Sequence, residues 1–333
     1  MYIDWRLPTE LDSQMLEEVY VSAANSVRAR TRIAPHIYQT PCLPSKSIGQ
    51  QLGCNLHFKA ENFQLTGSFK LRGALSKLST LGLDQRVVTA SSGNHGIASS
   101  YAASILGHKL TVYLPTNVSP QKLEKIRSYG VEIVQEGDNS GHSEVIAREA
   151  AAQDGNLIYV SPYNDADIFA GQGTIGLEIL EQVPNVDNVF ISLGGGGLVS
   201  GIGSVLKAFG EGINVIGVSA KNSAALDAAI RNGKVIDVDH FDTLADGVAG
   251  AMDEGSLTLP IASAIIDDLI ICDENEISAS LKMLARQEQQ IVEGAAALAL
   301  AGLVQQSEKY CGQNNVVLLC GANFDENRIL PLI

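Results

Sequence analysis

From Leu56 onward the chain alternates short apolar runs with amphipathic stretches, and this alternation constrains its fold more than any other feature. Runs at 56–58, 86–90, 110–114, 131–134, 157–160, 189–192, 215–219, 269–272 and 316–319 read as strands, and helical patterns lie between most of them. Strands that alternate with helices pair in parallel through right-handed crossovers, and such sheets bind ligands at the carboxyl ends of their strands. Ahead of them, residues 13–30 carry Leu16, Val19, Tyr20, Ala23 and Val27 at helical spacing, which predicts a surface helix, and Thr40-Pro41 marks the turn that follows. Ser119-Pro120 reads as a helix cap before a first-turn proline, and Asp273-Glu274-Asn275-Glu276 as a capping box. No Pro/Ser-rich linker interrupts the sequence, so a split into two domains has to come from the chain passing back and forth.

Composition narrows the function classes. At 333 residues, 45% hydrophobic and 18% charged, the chain can build one large or two moderate cores. A formal net charge of −14 argues against nucleic acid and against an anionic membrane surface, since neither finds a cationic face to bind. The apolar run 295–304 is too short to cross a bilayer, and the first residues lack a basic-then-apolar signal, so the expected setting is the cytoplasm. Five scattered cysteines without CxxC spacing point to core thiols, not to a disulfide framework or a zinc knuckle.

Three glycine-bearing loops follow strands or open helices, where backbone N–H groups are free to hold anions. In Thr66-Gly67-Ser68-Phe69-Lys70-Leu71-Arg72-Gly73-Ala74 a lysine falls in the first turn of a helix, near the positive end of the dipole. Its amine is expected to be less basic there. A Schiff base forms from the neutral amine, so this position suits a carbonyl cofactor as well as it suits a plain surface lysine. Ser91-Ser92-Gly93-Asn94-His95-Gly96 offers hydroxyls, an amide and a helix N-terminus, enough to grip a carboxylate or simply to cap a turn. Gly194-Gly195-Gly196-Gly197 carries an entropic cost of roughly 0.5–1 kcal/mol per glycine relative to alanine in regular structure. Such a run suggests a backbone that approaches a phosphate closely, and the absence of a Gly-Lys-Ser/Thr ending argues against a nucleotide loop of the Walker type.

Taken in order, these segments resemble the fold-type II pyridoxal-phosphate enzymes, within them the threonine/serine dehydratase and serine racemase group. The lysine motif extends back to Lys59-Ala60-Glu61-Asn62, and Ala170-Gly171-Gln172-Gly173-Thr174, Ala245-Asp246-Gly247, Glu293-Gly294-Ala295 and Cys320-Gly321-Ala322-Asn323 complete the series. The resemblance implies a tryptophan synthase β-like fold with two parallel-rich α/β domains: residues 1–66 and 166–333 form the larger, residues 67–165 the smaller, and the cofactor lies in the cleft. It further implies that Lys70 holds pyridoxal 5'-phosphate covalently and moves the Cα proton, and that Gly194, Gly195, Gly196 and Gly197 hold the phosphate. Phe69 would flank the ring, Asn94 would bond the ring hydroxyl and Cys320 would face the ring nitrogen. Ser91, Asn94 and His95 would receive the substrate carboxylate, and Ser92 would either serve as an acid or base on the face opposite the lysine, or only cap the helix or bond the carboxylate.

The implied activity is β-elimination from a small hydroxy-amino acid such as threonine or serine by a homodimer. Racemisation is the first alternative, and a non-catalytic pyridoxal-phosphate-binding relative is another. Two departures from the group stand out. Val218-Ser219-Ala220 and Ala225 lack the two carboxylates with which relatives hold a divalent cation, so no metal is expected there. Ser161-Pro162-Tyr163-Asn164 replaces the usual His-Pro opening, which bears on substrate identity.

Overall fold

The computed structural model describes residues 13–333, in which the strands fall into two sheets. The chain runs α1 (Ser13–Ile33), β1 (Cys42–Pro44), α2 (Ile48–Gln51), β2 (Asn55–Ala60), α3 (Lys70–Leu78), β3 (Arg86–Ala90), α4 (Asn94–Leu106), β4 (Lys109–Leu114), α5 (Pro120–Arg127), β5 (Glu132–Gln135), α6 (Ser140–Gln153) and β6 (Leu157–Tyr159). It continues through α7 (Ala166–Gln182), β7 (Asn188–Ser192), α8 (Gly197–Phe209), β8 (Asn214–Ala220), α9 (Ala225–Asn232), α10 (Thr258–Ile265), β9 (Asp268–Cys272), α11 (Glu274–Met283), α12 (Gly294–Gln305), β10 (Asn314–Leu319) and α13 (Glu326–Ile329). The six-stranded sheet has the order β1-β2-β10-β7-β8-β9, and the four-stranded sheet the order β5-β4-β3-β6. The chain therefore leaves the larger sheet after β2, builds the smaller one, and returns at β7.

All pairings are parallel except β1 with β2, where Cys42 lies opposite Lys59. The antiparallel β1 edge sits on an otherwise parallel sheet, as a parallel-rich fold allows. Strand β7 is buried throughout and β10 nearly so, as parallel strands covered on both faces must be. One cover of the larger sheet is α12, whose sequence GAAALALAGLVQ is small enough to lie close: a Cβ on Gly302 would fall 2.6 Å from Val218. The smaller sheet packs α3, α4 and α5 on one face, through Leu71, Leu75, Ile97 and Ile126, and α6 on the other, through Ala147.

Helix α1 forms where its periodicity predicts, but it turns a different face inward. Val19 and Ala23 are buried, along with Ser22, Ser26, Ala29 and Ile33, whereas Leu16, Tyr20 and Val27 are exposed at 36%, 57% and 45%. The reason lies in the partner helix: Gly173 of α7 leaves a notch that Ser26 fills, its hydroxyl 2.1 Å from where a Gly173 Cβ would stand. Both helix-start signals hold. Ser119 accepts from the Lys122 N–H, and Asp273 and Glu276 form a reciprocal capping box. All five cysteines are free thiols; Cys272 and Cys320 are buried, Cys42 and Cys54 half-buried, and Cys311 exposed.

Helix α3 is held against α7 at backbone distance, since a Cβ on Gly171 would lie 2.3 Å from the Arg72 carbonyl oxygen. At that contact Arg72, with no exposed surface, donates to Glu61 at 2.8 Å through both Nε and Nη2, and to Glu178 at 2.6 and 2.9 Å. Lys59 joins the cluster through Glu178 at 2.5 Å and the Thr40 carbonyl at 2.6 Å. Burial alone would raise the Glu61 carboxyl, yet the Arg72 guanidinium beside it holds it below the ordinary carboxylate range. Glu178→Ala would leave two buried cations short of their shared anion. The expected loss is about 3–5 kcal/mol, read as a lowered urea midpoint at unchanged m-value; a loss under about 1 kcal/mol, within the range of ordinary point changes, would contradict this account of the cluster.

Candidate active site

The lysine motif and the cysteine motif meet as two paired segments. The Phe69 N–H donates to the Cys320 carbonyl at 3.0 Å, the Ala322 N–H to the Gly67 carbonyl at 2.9 Å, and Ser68 faces Gly321 in an antiparallel bridge. Lys70 thus opens α3 next to the exit of β10. Its half-buried side chain donates to the Pro162 carbonyl at 2.7 Å and lies 5.2 Å from the centre of the Phe69 ring. Burial lowers the amine to about 8, against the pull of Cys320, Glu293 and Glu144. Ser161 supports this contact from behind, its hydroxyl accepting from the Tyr163 and Asn164 N–H groups. Its place is local turn chemistry at the lysine's acceptor loop.

The loop 91–96 follows β3 and enters α4, whose N-cap is Gly93 with no side chain capping it. Ser91 and Ser92 are half-buried; the Ser91 hydroxyl accepts from the Gly93 N–H at 3.2 Å, while Ser92 has no side-chain partner among the described residues. Asn94 reaches across to the larger sheet, with Nδ2 at 3.0 Å from both Glu293 oxygens and Oδ1 accepting from Asn323 Nδ2 at 2.7 Å. His95 is buried and engaged beneath the loop: its Nε2 lies 3.0 Å from Thr89 Oγ1 and 3.1 Å from the Val160 carbonyl oxygen. Burial, with Lys70 nearby, lowers the imidazole to about 3, so it stays neutral.

The tetraglycine loop joins β7 to α8, and Gly196 takes the left-handed φ of +91° that favours glycine. Tyr163 packs over the loop so closely that a Cβ on Gly195 would lie 2.5 Å from its ring, and Thr258 Oγ1 donates to the Gly195 carbonyl at 2.6 Å. No side chain caps the N-terminus of α8, which leaves backbone N–H groups for an anion. Beside the lysine, the buried Thr66 and Ser68 hydroxyls have no partner among the described residues. An amine of lowered basicity, two uncapped glycine helix starts and the unpaired Thr66 and Ser68 hydroxyls fit a phosphorylated carbonyl cofactor.

Glu293 belongs to one of the ordered sequence motifs, but its place at the site shows only in the fold. The carboxylate is buried, takes the Asn94 amide, the Asn323 N–H at 3.2 Å and the Cys320 thiol at 3.6 Å, and is pushed up to about 7 by burial. Cys320 itself is raised well above an ordinary thiol by burial and by Glu293, so it remains protonated. Away from this cluster, Ser219 is buried with its hydroxyl unpartnered among the described residues, and Asp227 pairs with Arg231 at 2.6 Å.

Residues 33–321 match the model of the family described as pyridoxal-phosphate dependent enzyme, and the chain belongs to that family. It has the fold-type II architecture, and its cofactor is pyridoxal phosphate. Among curated relatives, the L-threonine ammonia-lyase of Geobacter sulfurreducens is 34% identical over 308 residues, covering 92% of this chain and 76% of that protein. Among solved structures, the processed form of threonine deaminase isoform 2 from Solanum lycopersicum superposes with a TM-score of 0.90 at 30% identity, covering 98% of this chain and 95% of that one. Maize serine racemase gives a TM-score of 0.86 at 30% identity, covering 93% and 95%.

The lowered Lys70 amine has a kinetic consequence. Cofactor-free protein mixed with pyridoxal phosphate should capture it at a rate that rises with the neutral amine fraction and levels off above about pH 8. A rate still climbing through the pH range of an ordinary lysine, near 10.4, would contradict the placement.

Proposed function

We propose that the protein eliminates the β-hydroxyl of a small hydroxy-amino acid, L-threonine or L-serine, and releases a 2-oxo acid and ammonia. The observation that carries this reading is the Lys70 amine, lowered to about 8 and set against Phe69 between two uncapped glycine helix starts. Similarity to a threonine ammonia-lyase and a threonine deaminase over nearly the whole chain supports it. In this reading Lys70 holds the cofactor and moves the Cα proton, and Gly194, Gly195, Gly196 and Gly197 bind the phosphate. Phe69 flanks the ring, Asn94 donates to its hydroxyl oxygen and Cys320 faces its nitrogen.

The substrate carboxylate goes to Ser91, Asn94 and His95, the last through its backbone N–H because its ring is engaged below the loop. Pyridoxal phosphate, when bound, supplies a ring that delocalises the charge developing at Cα. The β-hydroxyl leaves as water, its added proton balancing the one removed from Cα, and the released enamine takes up water and gives the 2-oxo acid and ammonia. The proposed setting is the cytoplasm and the proposed assembly a homodimer; the assembly is supported by Leu16, Tyr20 and Val27, which leave an apolar stripe on one side of α1.

A second reading, racemisation, rests on the unpartnered Ser92 hydroxyl and on the likeness to serine racemase. Purified protein should release 2-oxo acid from L-threonine or L-serine, and Lys70→Ala should cut turnover by on the order of 100- to 10,000-fold, the scale of lost acid–base catalysis, or beyond detection. No oxo acid from either substrate would contradict the reading. Ser92→Ala that abolishes inversion while sparing elimination would assign Ser92 the second acid–base role, whereas inversion unchanged would remove it. Because Ser219 and Ala225 carry no carboxylate, a chelator should leave elimination unaffected; a large loss reversed by one added cation would place a metal in the reaction.

A further inference from the structure

We infer that Glu293 is a positioning residue, one whose carboxylate fixes how the Asn94 amide and the Cys320 thiol are presented to the cofactor ring. The inference rests on the reading above, in which Asn94 and Cys320 are the ring's partners. Glu293 stands at the N-cap of α12, and its side chain makes no capping hydrogen bond there. Its oxygens turn to the site instead, and the backbone holds it there: the Glu293 N–H donates to the Gly321 carbonyl at 3.1 Å. The carboxylate lies flush on Gly321, whose missing Cβ would stand 2.7 Å from Oε1.

The consequence for Asn94 is a fixed amide. In its ionised form, above about pH 7, the Glu293 carboxyl only accepts, so the group 3.0 Å from both of its oxygens is then the Asn94 NH2. On the other side Asn94 Oδ1 meets Asn323 Nδ2, and Asn323 is fixed in turn, since its Nδ2 donates to the Thr66 carbonyl at 2.9 Å and its Oδ1 accepts from Lys125 at 2.7 Å. Rotating the Asn94 amide by half a turn would set oxygen against carboxylate and NH2 against NH2. Asn94 can therefore offer an N–H, and not a carbonyl, to an oxygen on the ring. Cys320 is constrained in the same way, because its thiol hydrogen is directed to Glu293 Oε1 and only sulfur lone pairs remain for another neighbour.

A residue that acts through Asn94 shows itself in a double-mutant cycle. The measurements are the affinity of the full-length protein for pyridoxal phosphate, the visible spectrum of the holoenzyme and the thermal midpoint, for wild type, Glu293→Ala, Asn94→Ala and the double variant. Glu293→Ala should weaken cofactor affinity on the order of 10- to 100-fold, what a charge-assisted hydrogen bond is worth, and shift the visible band. The double variant should be no weaker than Asn94→Ala alone, and Glu293→Gln, which keeps one acceptor oxygen, should recover part of the loss. Where Glu293→Ala does not fold, Gly321→Ala takes its place in the cycle, since the added methyl pushes the carboxylate off Asn94 without removing it. Losses that multiply to within about twofold would overturn the inference and leave the cofactor site standing, as would a Glu293→Ala holoenzyme with wild-type affinity and spectrum. An Asn94→Ala variant with unchanged affinity and spectrum would take down the assignment of Asn94 to the ring, and this inference with it.

Discussion

The guanidinium of Arg72 lies wholly buried between Glu61 and Glu178, and the position of Lys70 follows from that contact. Lys70 and Arg72 share the first turn of α3; Glu61 follows β2 of the larger sheet, and Glu178 belongs to α7. A planar fork with two carboxylates at fixed distances leaves α3 little freedom to slide or rotate. Isolated, any one of these charges would be costly so far from water; together with Lys59 and the Thr40 and Thr174 hydroxyls they are mutually satisfied. The close approach at Gly73 and Gly171 completes the clamp, since a side chain at either would meet backbone or Gln172.

With α3 fixed, the site assembles across the cleft between the two sheets. The smaller sheet contributes Asn94, at the start of the helix after β3; the larger contributes Glu293, Cys320 and Asn323. Their hydrogen bonds run between residues far apart in sequence, and Lys125 of α5 extends the chain of contacts to the rim. On another side Arg148 of α6 reaches Asp253 at 3.0 Å while also holding Glu144. Because the tetraglycine loop, Lys70 and the loop 91–96 sit at strand ends or helix starts, each is positioned by regular structure.

Much of this was legible in the sequence, and the reason differs from element to element. Strands such as 189–192 announce themselves because a parallel strand covered on both faces must be apolar throughout. Ser119 and Asp273 are readable because a cap acts on N–H groups two and three residues away. Strand β1 was not legible: Cys42, Leu43 and Pro44 have no strand pattern of their own and become a strand by pairing with β2. The inward face of α1 escaped for a related cause. Apolar spacing grouped Leu16, Val19, Tyr20, Ala23 and Val27; Val19 and Ala23 are buried, but the notch at Gly173 of α7 takes Ser26 and leaves Leu16, Tyr20 and Val27 outside. The motifs around Lys70 and Gly194 to Gly197 carry their chemistry in short segments, whereas the roles of Arg72 and Glu293 exist only once distant residues have met. His95 shows the converse, a residue in a telling loop whose ring turns out to hold Thr89 and Val160.

The lysine proposed to carry the cofactor is Lys70 and no other. Reducing the holoenzyme with borohydride fixes the cofactor to its lysine, and peptide mapping by mass spectrometry then reads the site. The phosphopyridoxyl mass is expected on the peptide containing Lys70. Finding it on Lys59, which is sealed in the Glu178 ion pair, on Lys77, or on Lys125 at the rim would overturn that assignment.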